Sequence, residues 1–244
     1  MERRLRQGVS SGRAGAPLRD FALSAGAGLI ALAALGPTFL PALPPMAWGI
    51  AGALYLLGTL AAADFLRRSF PHPTLGLCNV VTLARFVIVG ALTAALVAGG
   101  GDPVVVLALA TVALALDGVD GWLARTHGRV SDFGARFDME VDSAFALVLA
   151  LHALASGTAG PLVLILGAMR YAFVAAALVL PWLGGPLPER FSRKAVCVIQ
   201  IAALILIQWP GLPEAMSATI VLGAAGALVW SFGLDIRHLW RHRP

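Results

Sequence analysis

"LDGVDGWLARTHGRVSDFGARFDMEVDSAF", residues 116–145, places six of the chain's thirteen acidic residues in one short stretch. It follows "VVVLALATVALA", residues 104–115, where a single threonine is the only polar side chain. A carboxylate at membrane depth is costly, and an intramembrane ionisable residue marks a functional site by default. The reading of these acids depends on whether the apolar runs around them are soluble core or membrane spans.

Composition answers that. The chain has 244 residues, 59% hydrophobic and only 13% charged, with a mean hydropathy of +0.83. A soluble domain would carry roughly a quarter charged residues, so lipid must be part of the solvent. The formal net charge is +5 and the pI about 10.2. The basic residues are scattered between apolar runs and form no basic helix with interleaved aromatics, which excludes a nucleic-acid partner and favours a membrane surface. Cys78 and Cys197 have no metal-ligand spacing and read as ordinary thiols.

A spanning helix needs roughly 20 mostly apolar residues. Eight such segments follow one another, near 21–43, 46–66, 80–99, 103–124, 137–157, 160–182, 194–209 and 215–235. Helix-breaking stretches such as "PALPP", "PHPTLG", "AGGGDP" and "WPGLP" separate them. Of the 18 Lys and Arg residues, all but Arg85 and Arg170 fall in the N-terminal tail, on alternate loops or in the last residues, on one side of the membrane. That asymmetry predicts an all-α integral membrane protein of eight spans with both termini cytoplasmic. The expected organisation is a polar Arg-rich tail (1–20), a first pair of transmembrane helices (21–66), six further helices (67–236) and a basic tail (237–244).

Within this frame Asp117 and Asp120 lie near the cytoplasmic end of the fourth span, and Asp138 and Asp142 near the start of the fifth. Spacings of three and four residues put each pair on one helix face, and a short loop would bring the two faces together. Four carboxylates cannot share a poorly solvated pocket without cations. Hard oxygen ligands suit Mg²⁺, Mn²⁺ or Ca²⁺, which points to a two-metal phosphoryl-transfer site. Gly121 and Ala124 continue the Asp117 face with minimal side chains, so a bulky group can approach, and Arg125 could grip a phosphate. Asp132 and Glu140 fall off these faces and read as solvated acids.

The pattern Asp117-x-x-Asp120-Gly121-x-x-Ala124-Arg125, eight residues, then Gly134-x-x-x-Asp138-x-x-x-Asp142, resembles the complete signature of the CDP-alcohol phosphatidyltransferases. The resemblance covers about residues 70–236 as a six-helix core, with the first two spans outside it. It implies that Asp117, Asp120, Asp138 and Asp142 hold two Mg²⁺ or Mn²⁺ ions, with Asp142 the general base. It also implies that Gly121, Ala124 and Arg125 line the CDP site. "NVVTLAR" resembles a further family element, which adds Asn79, Thr82 and Arg85 to that site. The implied activity is transfer of a phosphatidyl group from CDP-diacylglycerol to a small alcohol with release of CMP, in a homodimer among membrane lipids. The expected location is a bacterial cytoplasmic membrane, with the site facing the cytoplasm.

A second polar group follows. Arg170 sits mid-span in "LILGAMRYAF", where snorkelling is costly. Arg190, Arg193 and Lys194 form a cationic mouth before the seventh span. The resemblance is nearest to phosphatidylglycerophosphate synthases, which match Arg170, Lys194 and Gln200, although Tyr171 stands where they often have glutamate and their glycine, second lysine and threonine around Lys194 are not retained. Arg170, Arg193 and Lys194 are therefore the candidate acceptor-binding residues, for a phosphorylated acceptor such as glycerol 3-phosphate. The same signature also serves enzymes that join CDP-choline or CDP-ethanolamine to diacylglycerol. A divalent-cation transporter is the non-enzyme alternative, but it would spread its acids across the membrane depth.

Overall fold

The computed structural model of the chain describes residues 16–40, 42–126, 131–188 and 190–243. Most of the Arg-rich tail, residues 1–15, lies outside the described residues, as does His127. Among the described residues there are eight α-helices and no strand, as the spacing of apolar runs predicts. They are α1 (Ala16–Phe39), α2 (Pro45–Ser69), α3 (Leu77–Val97), α4 (Pro103–Thr126), α5 (Asp132–Ala155), α6 (Val163–Val179), α7 (Phe191–Leu206) and α8 (Glu214–Arg241). A 3₁₀ turn, Pro181–Gly184, follows α6.

The punctuation in the sequence sets these boundaries. Pro44 precedes α2 in an extended conformation and Pro45 occupies its first turn, where a missing N–H costs nothing. Gly76, at φ 76°, turns the chain into α3, a conformation disfavoured for any residue with a Cβ. Asp102 Oδ1 accepts the Val104 N–H at 2.8 Å and so caps the start of α4. Among the described residues, five helices are long and apolar enough to cross a membrane, namely α1, α2, α3, α4 and α8. α6 is apolar but only 17 residues long, and α7 has 16. The first turns of α5 carry the acidic cluster.

The chain forms two compact units. The first comprises the chain to Ala98 with Thr111–Asp142, and the second comprises Gly99–Ala110 with the chain from Ser143. In the first unit α1, α2 and α3 pack on one another. Ala47, Ala51 and Ala94 are fully buried where α2 meets α3. Small residues allow this approach, and packing then supplies the association that water exclusion cannot supply in lipid. Tyr55 stacks on Phe86 of α3 at 5.1 Å and donates its hydroxyl hydrogen to the Ala25 carbonyl of α1 at 3.1 Å.

In the second unit α8 packs on α6 and α7. Gln208 Nε2 donates to the Leu149 and Leu204 carbonyls at 2.9 and 3.2 Å. Phe173 meets Phe232 edge to face. Asp235, buried near the end of α8, pairs with both Arg190 and Arg193.

Candidate active site

The first unit contains all of the signature positions. Asp117 and Asp120 come from α4, Asp138 and Asp142 from α5, and Asn79, Thr82 and Arg85 from α3. α5 starts where its sequence can cap it. Ser131 Oγ accepts the Gly134 N–H at 3.0 Å, and Asp132 lies in the first turn, where a negative charge suits the helix dipole. Phe133, Phe137 and Val141 recur every fourth residue and are buried. This apolar stripe turns the adjacent face, bearing Gly134, Asp138 and Asp142, toward α3.

Arg85 is the centre of the cluster. Its Nη1 lies 3.0 Å from Asp117 Oδ1 and 3.1 Å from Asp120 Oδ2, and also bonds Asp138, while Nη2 bonds Asp142. The arginine side chain is 2% exposed and that of Asp120 is 6%, whereas Asp117, Asp138 and Asp142 are 35%, 37% and 38% exposed. The cluster thus has a closed floor and an open side through which a ligand could enter. Thr82 Oγ1 lies 3.2 Å from Asp120 Oδ2 and 3.1 Å from the Cys78 carbonyl, two acceptors for one hydroxyl hydrogen.

One guanidinium cannot balance four carboxylates, which leaves three negative charges. Carboxylate oxygens of Asp117, Asp120 and Asp138 lie within 4.8 Å of one another. Hard oxygens gathered at this spacing, with charge in excess, form a donor set that fits Mg²⁺ or Mn²⁺. Arg85, an arginine within an apolar helix, finds its anionic partners in these aspartates.

Asn79 is buried and donates from Nδ2 to the Leu75 carbonyl at 2.6 Å. A Cβ at Gly134 would sit 3.0 Å from Asn79 Oδ1. Gly134 is therefore small because α5 passes close to α3. Gly121 is half-buried on α4. The side chains of Ala124 and Arg125 lie outside the described residues.

The residues singled out for an acceptor lie in the second unit, Arg170 within α6, and Arg193 and Lys194 in the first turn of α7. The Arg193 guanidinium is engaged by Asp235, with Nε to Oδ2 at 3.0 Å and Nη2 to Oδ1 at 2.9 Å. Asp235 is the residue that sequence reasoning missed. Its signal was available, because it is a lone carboxylate within the last apolar run.

A family model described as CDP-alcohol phosphatidyltransferase matches residues 75–231. No curated protein and no solved structure matches the chain significantly.

Proposed function

The chain belongs to the CDP-alcohol phosphatidyltransferase family, and from that premise we propose that it transfers the phosphatidyl group of CDP-diacylglycerol to a soluble alcohol. The family makes it a membrane transferase of phospholipid synthesis that draws on a CDP-alcohol and depends on a metal. The observation that carries the finer reading is the convergence of Asp117, Asp120, Asp138 and Asp142 from two helices onto Arg85.

In this reading Asn79, Thr82, Arg85, Gly121, Ala124 and Arg125 hold the CDP portion. The two small residues admit the nucleotide to the α4 backbone, and the arginines meet its phosphates. Two Mg²⁺ or Mn²⁺ ions held by the four aspartates would neutralise the diphosphate and stabilise charge developing on the transferred phosphoryl group. Asp142 accepts the proton of the acceptor hydroxyl. The acceptor oxygen then forms a bond to the phosphatidyl phosphorus as the bond from that phosphorus to the bridging oxygen breaks. CMP leaves with the electron pair. Until the ions bind, Arg85 holds the carboxylates together, because each would otherwise repel the other three.

Arg170, Arg193 and Lys194 are the proposed acceptor-binding residues, and their charge favours an anionic acceptor such as glycerol 3-phosphate. Arg170→Met should raise the acceptor KM in a protein that still folds, and an unchanged KM removes Arg170 from this role. We further infer eight spans, cytoplasmic termini, a cytoplasmic active site and a homodimer.

The test is direct. Purified protein is incubated with labelled CDP-diacylglycerol, Mn²⁺ and a panel of alcohols, and CMP release is followed. Release with one soluble alcohol, abolished by chelator, is the expected result. Release only from CDP-choline with diacylglycerol as acceptor would reverse donor and lipid. Chelator-resistant release would overturn the metal assignment.

A further inference from the structure

The family match begins at residue 75, so α1 and α2 lie outside it. They nevertheless reach the helix that carries Asp138 and Asp142. Phe21 of α1 is 2% exposed and meets two α5 rings edge to face, Phe133 at 6.0 Å and Phe137 at 5.9 Å. Phe65 of α2 lies 6.1 Å from Phe133, and Phe70, just beyond α2, lies 5.6 Å from it. The Arg136 guanidinium stands over the Phe65 ring at 5.0 Å. This aromatic cluster grips the first turns of α5 on the face next to the one turned toward α3.

We propose that α1 and α2 position the ligand-bearing helix, with Phe21 as the positioning residue that fixes the rotation of α5 and so places Asp138 and Asp142. The proposal rests on the reading of these aspartates as metal ligands. Successive residues of a helix are about 100° apart, so Phe137 and Asp138 are rigidly linked. A carboxylate oxygen stands on the order of 5 Å from the helix axis, and a rotation of about 20° carries it about 2 Å. Metal–ligand distances tolerate about 0.2 Å. The rotation of α5 must therefore be held tightly.

α1 and α2 are themselves held against α3, the helix that carries Arg85. Tyr55 joins all three helices through its ring on Phe86 and its hydroxyl on Ala25. A Cβ at Gly28 would lie 2.2 Å from the Tyr55 hydroxyl, and one at Gly58 would lie 2.5 Å from the Phe86 ring. The helix pair thus gives α5 a fixed reference to α3 through contacts that the family signature does not contain.

The test compares full-length Phe21→Ala, Phe21→Leu and Leu32→Ala in lipid nanodiscs. Leu32 is an equally buried α1 residue, but it packs on Gly90 of α3. Mn²⁺ binding is read by electron paramagnetic resonance, and amide exchange is followed over residues 132–142. Phe21→Ala should raise the Mn²⁺ Kd at least about fivefold and speed exchange over those residues. Phe21→Leu should recover most of both, and Leu32→Ala, which loosens α1 from α3 without touching α5, should change both less than Phe21→Ala. A Phe21→Ala protein indistinguishable from Leu32→Ala in both readouts overturns the proposal. If the wild type binds no Mn²⁺, the metal reading fails by itself, and exchange over 132–142 alone decides the positioning role. Should Phe21→Ala fail to insert, Phe21→Leu decides, with at least about a twofold shift expected.

Discussion

In the proposed mechanism Arg85 and the four aspartates have unequal roles, and single substitutions should separate them. Removing a metal ligand costs cation affinity as well as transition-state stabilisation, so Asp117→Asn, Asp120→Asn and Asp138→Asn should raise the Mn²⁺ requirement and lower turnover together. Removing the base costs mainly proton transfer, so Asp142→Asn should lose about 10²–10⁴-fold in kcat while still binding CDP-diacylglycerol. Asp132→Asn and Glu140→Gln, outside the ion-pair set around Arg85, should stay close to wild type. Loss at Glu140 equal to loss at Asp138 contradicts the assignment. Arg85→Met poses a different question. It removes the guanidinium that four carboxylates share, and breaking a buried pair costs about 3–5 kcal/mol. The cost here should be smaller, because three of the four acids are about one-third exposed. The variant should melt early in chelator and recover more than the wild type on adding Mn²⁺, since a cation then supplies the missing charge. Equal Mn²⁺ stabilisation of both proteins would show that cation and guanidinium do not share a site.

At the scale of helices, the close passage of α5 over α3 depends on Gly134. An added methyl would press Asn79 Oδ1 and the capping Ser131 Oγ, at 3.0 and 3.3 Å. Gly134→Ala should therefore weaken Mn²⁺ binding several-fold as Asn79 gives way, and Gly134→Leu should abolish turnover. Thermal melting and Mn²⁺ titration of the two variants check the order, and wild-type affinity in Gly134→Leu would remove the close approach as a cause. The aspartates were legible in sequence because the signature is local, with Asp117 to Asp142 spanning two helices and one loop. For Arg85 only the need for an anion was legible, because an arginine within a span requires one; whether a nucleotide phosphate or the aspartates supply it was not. The clamp on α5 was not. Phe21, Phe65, Phe133 and Phe137 come from three helices, and in a chain this apolar a phenylalanine facing another helix looks the same in sequence as one facing lipid. Asp235 was overlooked for the opposite reason. Its signal was plain, but its partners, Arg190 and Arg193, already had an explanation as part of a cationic mouth.

For the whole molecule, membrane topology decides whether the site and its soluble acceptor can meet. α1, α2, α3, α4 and α8 satisfy both length and hydropathy for a span; α1, with 24 residues, reaches about 36 Å against a hydrocarbon core of about 30 Å. α6 and α7, with 17 and 16 residues, reach only about 24–26 Å. They can cross only with help from flanking turns or local thinning of the bilayer. The distribution of basic residues argues that they do cross. Arg190, Arg193 and Lys194 precede α7, Arg237, Arg241 and Arg243 close the chain, and the stretch between α7 and α8 has no Lys or Arg. Reporter fusions after residues 100, 158 and 211 should therefore read external, and fusions after 130 and 186 internal. An internal reading at 211 would mean that α7 lies along the membrane surface, leaving an odd number of spans and an external C-terminus. An external reading at 130 would do more damage, because it puts Asp117 to Asp142 on the side opposite the nucleotide supply. Both alternatives place a basic segment on the translocated side, which the asymmetry of this sequence disfavours.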